Sequence, residues 1–469
     1  MSPENMSGAV VHVALFPNAG MGHLTPFLRL AALLVNRHCR VTLITPQPTV
    51  SMAESKLLSR FHSAFPQVTF LPFHIVPIDA STVNTDDPFF IQFEAVRRSC
   101  HLLPSLLASV SPPLSAFVCD VTLISPVLPI TENLCLPIFI LFTSSALMLS
   151  LFSYIPRFIP SISGLDFLEI PEVSTIPRSS IPPLLLLPNN VFAQILFEDG
   201  PKLPKLCGIL VNSFEALESK ALDSLNTGKV VKELAPVFPI GPLVPCEFEK
   251  NETEEQSSSS PLKWLNDQSP GSVVYVSFGS RLSLAREQVR EIGNGLLKTG
   301  FKFLWVVKDK KVDKEEEEGL DEVVGTELME RLKSKGLIVK EWVDQSGILS
   351  HNAVGGFVSH CGWNSVVEAA WHGVPILGWP QIGDQKLNAE VVEKSGWGTW
   401  KKKWGWWGEN VVRGEEIGDA IDEMMKNEAL KVKAEEMKVA ARKAVGGGGS
   451  SEIAVQRLIG EWTKMVSSV

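Results

Sequence analysis

The sequence predicts an α/β protein of two doubly wound parallel-sheet domains, and three observations carry that prediction. At 469 residues the chain exceeds one small core and suits two units on a prior of ~150 residues or more per domain. Short apolar runs repeatedly precede a polar or glycine-containing loop and then a helical pattern, the rhythm of strand–helix units feeding a parallel sheet. That rhythm stops once, in an acidic and serine-rich stretch, and then restarts.

The first unit, residues 1–242, places strands at Val10–Pro17, Arg40–Thr45, Val68–Phe73, Ala116–Asp120, Pro137–Thr143 and Gly208–Asn212. Ligands of such sheets gather beyond the carboxyl ends of the strands, so function is sought in Asn18–His23, Asp120 and Thr143. The uncharged stretch from Cys135 to Tyr154 approaches the ~20 residues of a membrane-spanning helix. It reads better as a buried strand, Pro137–Phe142, a break at Thr143–Ser145, and a helix, so no span is expected. Residues 243–261, acidic and rich in serine, lack apolar periodicity and are expected to form the linker.

The second unit, residues 262–450, restarts the rhythm with strands at Ser272–Phe278, Phe301–Val307, Gly336–Trp342, Val354–Val358 and Val374–Leu377. The mixed charges of Lys308–Glu318 predict a solvated loop. Gly446–Gly449 predicts a flexible joint, and residues 451–469 an amphipathic helix docking back on the first unit. Tryptophans crowd at Trp397, Trp400, Trp404, Trp406 and Trp407. Glycines and lysines interleave them without a clear face, so packing of a loop is expected rather than ligand stacking.

Composition bounds the function. With 43 basic against 52 acidic residues, a formal charge of −9, the chain would repel a polyanion unless a local basic patch overcame it, and nucleic acid is not an expected partner. Seven scattered cysteines, none in CxxC spacing, argue against a disulfide framework or a thiolate metal cage and suit a reducing compartment. No targeting segment is apparent at the start, so a cytoplasmic location is expected. The nine histidines show no metal-ligand spacing, and no metal or cofactor is expected.

The richest stretch for chemistry is Trp342–Gln385. After its strand comes Ser359-His-Cys-Gly-Trp-Asn-Ser365 and a helical segment, where a glycine lets backbone N–H groups approach an anion and the helix start adds a favourable dipole. His360 and Ser365 can each donate a hydrogen bond there. Asn364 and Glu368, spaced i,i+4, lie on one helical face, and Glu368 suits a ribose hydroxyl rather than a phosphate. Singly these elements are weak: a lone histidine more often serves structure. In the first unit, His23 follows the opening strand among glycines, with an unperturbed pKa near ~6.5 suited to proton transfer. Asp120 can fix its tautomer and stabilise the imidazolium. A structural hydrogen bonder at a helix start is the competing reading of His23.

The full 44-residue stretch from Trp342 to Gln385 resembles the signature box of plant secondary-product UDP-sugar glycosyltransferases. Gly22-His23, Asn212-Ser-Phe-Glu215, Trp264-Leu265 and Val276-Ser-Phe-Gly-Ser280 extend the resemblance over most of the chain. It implies the GT-B fold, two Rossmann-like domains facing a central cleft, with acceptor mainly on the first and sugar nucleotide mainly on the second. It further implies that Trp342 stacks on uracil, Gln345 meets the base edge and Glu368 holds the ribose. His360, Asn364, Ser365 and Ser280 would bind the diphosphate, and Trp363, Asp384 and Gln385 the sugar. Gly22, Thr143, Val343 and Gly362 complete the implied donor contacts, and His23 with Asp120 becomes the catalytic pair. Glutamine at position 385 resembles glucose users.

Within that family, Gly20–Leu30, Asp120–Ser125 and Trp371–Gln385 look like the flavonoid C-glucosyltransferase branch. The expectation is therefore an inverting, metal-free monomer moving glucose from UDP-glucose to an aromatic carbon of a polyphenol such as phloretin or a 2-hydroxyflavanone. An O-glucosyltransferase of phenolic hydroxyls uses the same machinery and stays open. A nucleotide-binding oxidoreductase shares the architecture, but neither unit opens on GxGxxG. A non-catalytic sugar-nucleotide binder would not need both His23 and Asp120. Phe89, Phe90, Phe93 and Leu184–Leu187 suit an acceptor wall or an ordinary core equally.

Overall fold

The computed structural model describes residues 10–83, 87–157, 164–187, 189–249, 260–279, 284–308, 319–340 and 343–467. Among these, β1 (His12–Phe16), β2 (Arg40–Gln47), β3 (Thr69–His74), β4 (Ala116–Asp120), β5 (Ile138–Phe142), β6 (Phe167–Ile170), β7 (Ser174–Pro177), β8 (Gly208–Val211) and β9 (Val237–Pro239) belong to the first half. Seven of them form a parallel sheet in the order β3-β2-β1-β4-β5-β8-β9. β4 and β5 are buried along their whole length, as apolar runs covered on both faces must be. In the second half, β10 (Val273–Ser277), β11 (Lys302–Val306), β12 (Gly336–Val339), β13 (Val354–Ser359), β14 (Ile376–Gly378) and β15 (Gly398–Trp400) form a parallel sheet in the order β12-β11-β10-β13-β14-β15.

Every expected strand has a counterpart. Three features were not anticipated. β9 and β15 are three-residue strands, too short to show periodicity, and β6 and β7 pair as a small antiparallel hairpin within a proline-rich stretch. The uncharged run from Cys135 resolves into β5 and the helix Ala146–Tyr154, and no helix of the described residues is long and apolar enough to cross a membrane.

Two expectations for the connections need correction. Leu243 and Phe248 lie within the expected linker yet are buried, Phe248 edge-on against Phe61, because they are the apolar residues that an otherwise acidic stretch offers to the first domain. Most of the remaining linker, like residues 309–318 of the charged run, lies outside the described residues. The Gly446–Gly449 run is a tight turn rather than a flexible joint: Gly448 has φ +77°, and a Cβ on Gly449 would meet the Lys443 carbonyl at 2.1 Å. It redirects the chain from helix Glu428–Val445 into helix Ser450–Ser467.

That last helix packs on the first sheet, where the fully buried Trp462 meets Phe139 edge-on and Arg457 lies 5.1 Å from the Phe238 ring centroid. Glu452 pairs with Arg37, the residue that caps the end of helix Met21–Asn36. One apolar cluster joins Phe117 and Ile140 of the first sheet to Val366 and Ala370 of helix Trp363–His372. Of the crowded tryptophans, Trp397, Trp400, Trp404 and Trp406 are buried and Trp407 is 40% exposed, so packing is their role in the fold. Replacing Trp462 by alanine removes a buried ring from the joint between the halves and is expected to cost about 3–5 kcal/mol. Urea unfolding checks this, and a loss within error would mean the helix contributes little.

Candidate active site

The site grows from the sheet's own geometry. β1 ends at Phe16, the chain turns through Gly20 at φ +100°, and helix Met21–Asn36 begins. Only glycine fits there, because a Cβ would also sit 2.4 Å from the Phe89 ring. Glu54 Oε1 accepts the Gly20 N–H at 2.7 Å and fixes the turn. The first helical turn carries exposed Gly22 and half-buried His23, and Pro26, lacking an N–H, leaves the Gly22 carbonyl without its helical donor.

His23 Nδ1 lies 2.7 Å from Asp120 Oδ2, at the end of the adjacent strand β4. Asp120 is fully buried, and its other oxygen accepts the Thr122 N–H at 3.0 Å and hydroxyl at 2.6 Å. Burial pushes this carboxyl up, but His23 and the Thr122 donors outweigh it and hold it below the usual range. An ionised Asp120 only accepts, so Nδ1 carries the hydrogen and Nε2 presents the lone pair. Thr143 Oγ1 lies 3.5 Å from the same Nδ1. The rings of Phe93 and Phe89 stand beside the imidazole, with centroids at 5.6 and 6.4 Å.

In the second half, β10 and β13 pair through Ser277 and Ser359, and the loops beyond them meet. The His360 ring presses on two glycines: a Cβ on Gly279 would come within 2.6 Å of its Nε2, and one on Gly362 within 2.4 Å. Gly362 caps helix Trp363–His372 without any side-chain bond, so its first N–H groups remain directed outward, an arrangement suited to an anion. His360 Nδ1 and Asn364 Oδ1 are buried without a hydrogen-bond partner. Burial lowers the His360 pKa from 6.5 to about 4, leaving the ring neutral at pH 7.

Gln345, at the start of its short helix, donates to Ser365 Oγ at 3.1 Å and to Glu368 Oε2 at 2.8 Å. Val343 is buried beside it. Gln385 accepts the Gln381 and Ile382 N–H groups at 2.8 and 2.9 Å, which commits its carbonyl to the turn and leaves its amide hydrogens. Trp342 and Ser280 lie outside the described residues.

Three contacts cross between the halves at these residues. Asp384 accepts from Ser144, which directly follows Thr143, and also from Asn388 at 2.9 Å. Trp363 donates its indole N–H to the Asn212 carbonyl at 2.8 Å, so its buried ring spans the interface and a sugar contact would fall to its backbone. Glu368 Oε1 lies 2.5 Å from Arg29 Nη2. Sequence reasoning missed Arg29 and Ser144. A lone arginine inside Phe27-Leu-Arg-Leu-Ala-Ala32 was the available signal for the first; Ser144 carried none beyond its place after a strand.

Because His360 titrates near 4 when folded and near 6.5 otherwise, the unfolded chain takes the proton first. Its contribution is complete above about pH 6.5 and is lost as pH falls toward about 4, at up to about 1.4 kcal/mol per pH unit. His360→Asn is expected to reduce the slope of the stability profile between pH 6.5 and 4, leaving the part due to His372, also lowered to about 4, and to His12, also lowered by burial. Denaturant melts at pH 7 and 5 read this directly, and an unchanged slope would count against a neutral buried ring.

Comparison with known proteins places this geometry. Residues 240–438 match the family model described as UDP-glucoronosyl and UDP-glucosyl transferase. The chain is 55% identical over 459 residues to UDP-glycosyltransferase 708G2 of Citrus unshiu, covering 96% of each. It is similar in structure to LpCGTa in complex with UDP, with TM-score 0.86 and 44% identity over 97% of this chain and 100% of that one. Medicago truncatula UGT71G1 complexed with UDP-glucose gives TM-score 0.85 at 28% identity, over 97% and 99%. Two parallel-sheet halves meeting at these loops make the GT-B fold, and the chain belongs to the family 1 UDP-glycosyltransferases, where it most resembles the C-glucosyltransferase branch.

Proposed function

We propose that this UDP-glycosyltransferase moves glucose from UDP-glucose to an aromatic carbon of a polyphenol bearing a phloroglucinol-type ring, with inversion to a β-C-glucoside. The observation that carries this reading is the His23–Asp120 pair at 2.7 Å, with the basic nitrogen turned away from the carboxylate and aromatic rings alongside. The relatives in complex with UDP and with UDP-glucose support the donor class, and the name LpCGTa supports the branch.

In this mechanism His23 Nε2 removes the proton of a phenolic hydroxyl, and Asp120 steadies the imidazolium that forms. Phenolate charge spreads to the ring carbons ortho and para to it. One such carbon bonds to the anomeric carbon as the bond to the diphosphate breaks, its electron pair leaving with UDP. The ring carbon then gives up its hydrogen as a proton and the oxygen regains one, so aromaticity returns and one proton is released overall. Which atom attacks is decided by orientation. The donor would lie along Trp342, Val343, Gln345 and Glu368, with its diphosphate at Ser280, His360, Gly362, Asn364 and Ser365. Trp363, Asp384 and Gln385 would face the hexose, and Gly22 and Thr143 would approach it from the first domain. The uncapped helix start and neutral His360 meet the leaving-group charge without a metal.

Incubation with phloretin and UDP-glucose is expected to yield an acid-resistant product. An acid-labile glucoside would instead establish attack by oxygen. His23→Ala is expected to lower turnover by about 10²–10⁴-fold while calorimetry finds UDP affinity retained; lost donor affinity would refute that division of labour. Gln385→Ala is expected to weaken use of UDP-glucose more than affinity for UDP, and equal losses would contradict a sugar contact.

A further inference from the structure

Arg29 is 3% exposed, on the same helix as His23. An arginine so placed must find compensation for its lost hydration. Its Nε and Nη2 pair with Glu249 at 2.9 and 2.7 Å, Nη1 donates to the Leu243 carbonyl at 3.2 Å, and Nη2 also reaches Glu368 Oε1 at 2.5 Å. Glu368 is itself buried, at 5% exposure, and its other oxygen is held by Gln345. The second domain thus supplies a carboxylate whose cationic partner comes from the first.

We propose that Arg29 is a positioning residue of the donor site, holding Glu368 oriented across the domain interface so that its remaining lone pairs meet the ribose hydroxyls. The inference rests on the reading of Glu368 as the ribose acceptor. Each carboxylate oxygen has two acceptor directions; Arg29 takes one on Oε1 and Gln345 one on Oε2, which leaves one on each for a vicinal diol. Burial pushes the Glu368 carboxyl up and the Arg29 guanidinium draws it back down, so removing the guanidinium would leave Glu368 beside the Glu249 carboxylate, which pushes it up further. A protonated Glu368 would offer the diol one acceptor fewer. Arg29 lies six positions beyond His23, about 9 Å along the helix at ~1.5 Å per residue. One helix therefore carries both the base and the partner that orients the nucleoside end of the donor.

The test uses the full-length enzyme with UDP and UDP-glucose. Arg29→Met and Arg29→Gln are expected to weaken UDP binding by calorimetry, and to raise the UDP-glucose KM, by about tenfold, the scale typical of groups that orient a primary ligand. The value of kcat is expected to change less than about threefold, since no bond to the reacting atoms is lost. In a Glu368→Gln background, Arg29→Met is expected to add no further loss of donor affinity. A folded Arg29→Met or Arg29→Gln protein with unchanged UDP affinity overturns the proposal, as does failure of both to fold, which would assign Arg29 to stability alone. Should Glu368→Gln by itself leave UDP affinity unchanged, the ribose reading of Glu368 fails, and the proposal with it. Weakened binding in Glu368→Gln with none in the Arg29 variants removes Arg29 only.

Discussion

The constraint on which the rest depends is the point in each sheet where the strand order reverses. In the first sheet the order turns between β1 and β4, and in the second between β10 and β13. Connections on either side of such a point leave toward opposite faces, and a crevice opens beyond the carboxyl ends of the two central strands. His23 and Asp120 follow β1 and β4; Gly279 and His360 follow β10 and β13. Each half of the site is thus the loop pair of its own crevice.

A crevice alone does not fix the orientation of an imidazole. The Asp120 carboxylate is buried to 0% exposure, and a charge so placed needs its hydrogen bonds satisfied on every side. Thr122 supplies two of them, Asn18 donates to the Thr122 hydroxyl at 2.9 Å, and Arg97 donates to the Thr122 carbonyl. Arg97 in turn pairs with buried Asp199 at 3.1 Å, which also accepts the Ser125 N–H at 2.8 Å. The tautomer of one histidine is therefore set by a chain of bonds through four segments of the first domain. That is a costly arrangement for stability, since each buried ion must be compensated, and it acts to hold a single geometry.

This division explains what the sequence made legible. Strand runs such as Ala116–Asp120 and Val354–Val358 announced themselves because burial on both faces demands continuous apolar residues. The residues after them, His23, Asp120 and His360, followed from the rule for sheet edges. Short elements were hidden: β15, Gly-Thr-Trp, offers no period to read. The partners of charged residues were hidden too, because Arg29 and Glu368 are 339 positions apart and no local pattern pairs them. Trp363 was likewise hidden as a bridge, for its indole donates to the Asn212 carbonyl 151 positions away.

The cross-domain bonds have a common address. Trp363 opens its helix and Asp384 caps the helix Gln385–Lys394, and these residues meet Asn212 and Ser144 of the first domain. Lys386, two residues beyond Asp384, donates to the Ser179 carbonyl at 2.9 Å. The first domain therefore grips the second at the amino ends of two helices, where the peptide dipoles concentrate positive potential. Such ends are also the natural seat of an anionic group. An anion seated there would share its backbone with the domain contacts, and an ångström of slippage at Asn212 or Ser144 would displace both relative to His23. Reactions that depend on orientation lose rate steeply with displacements of that size.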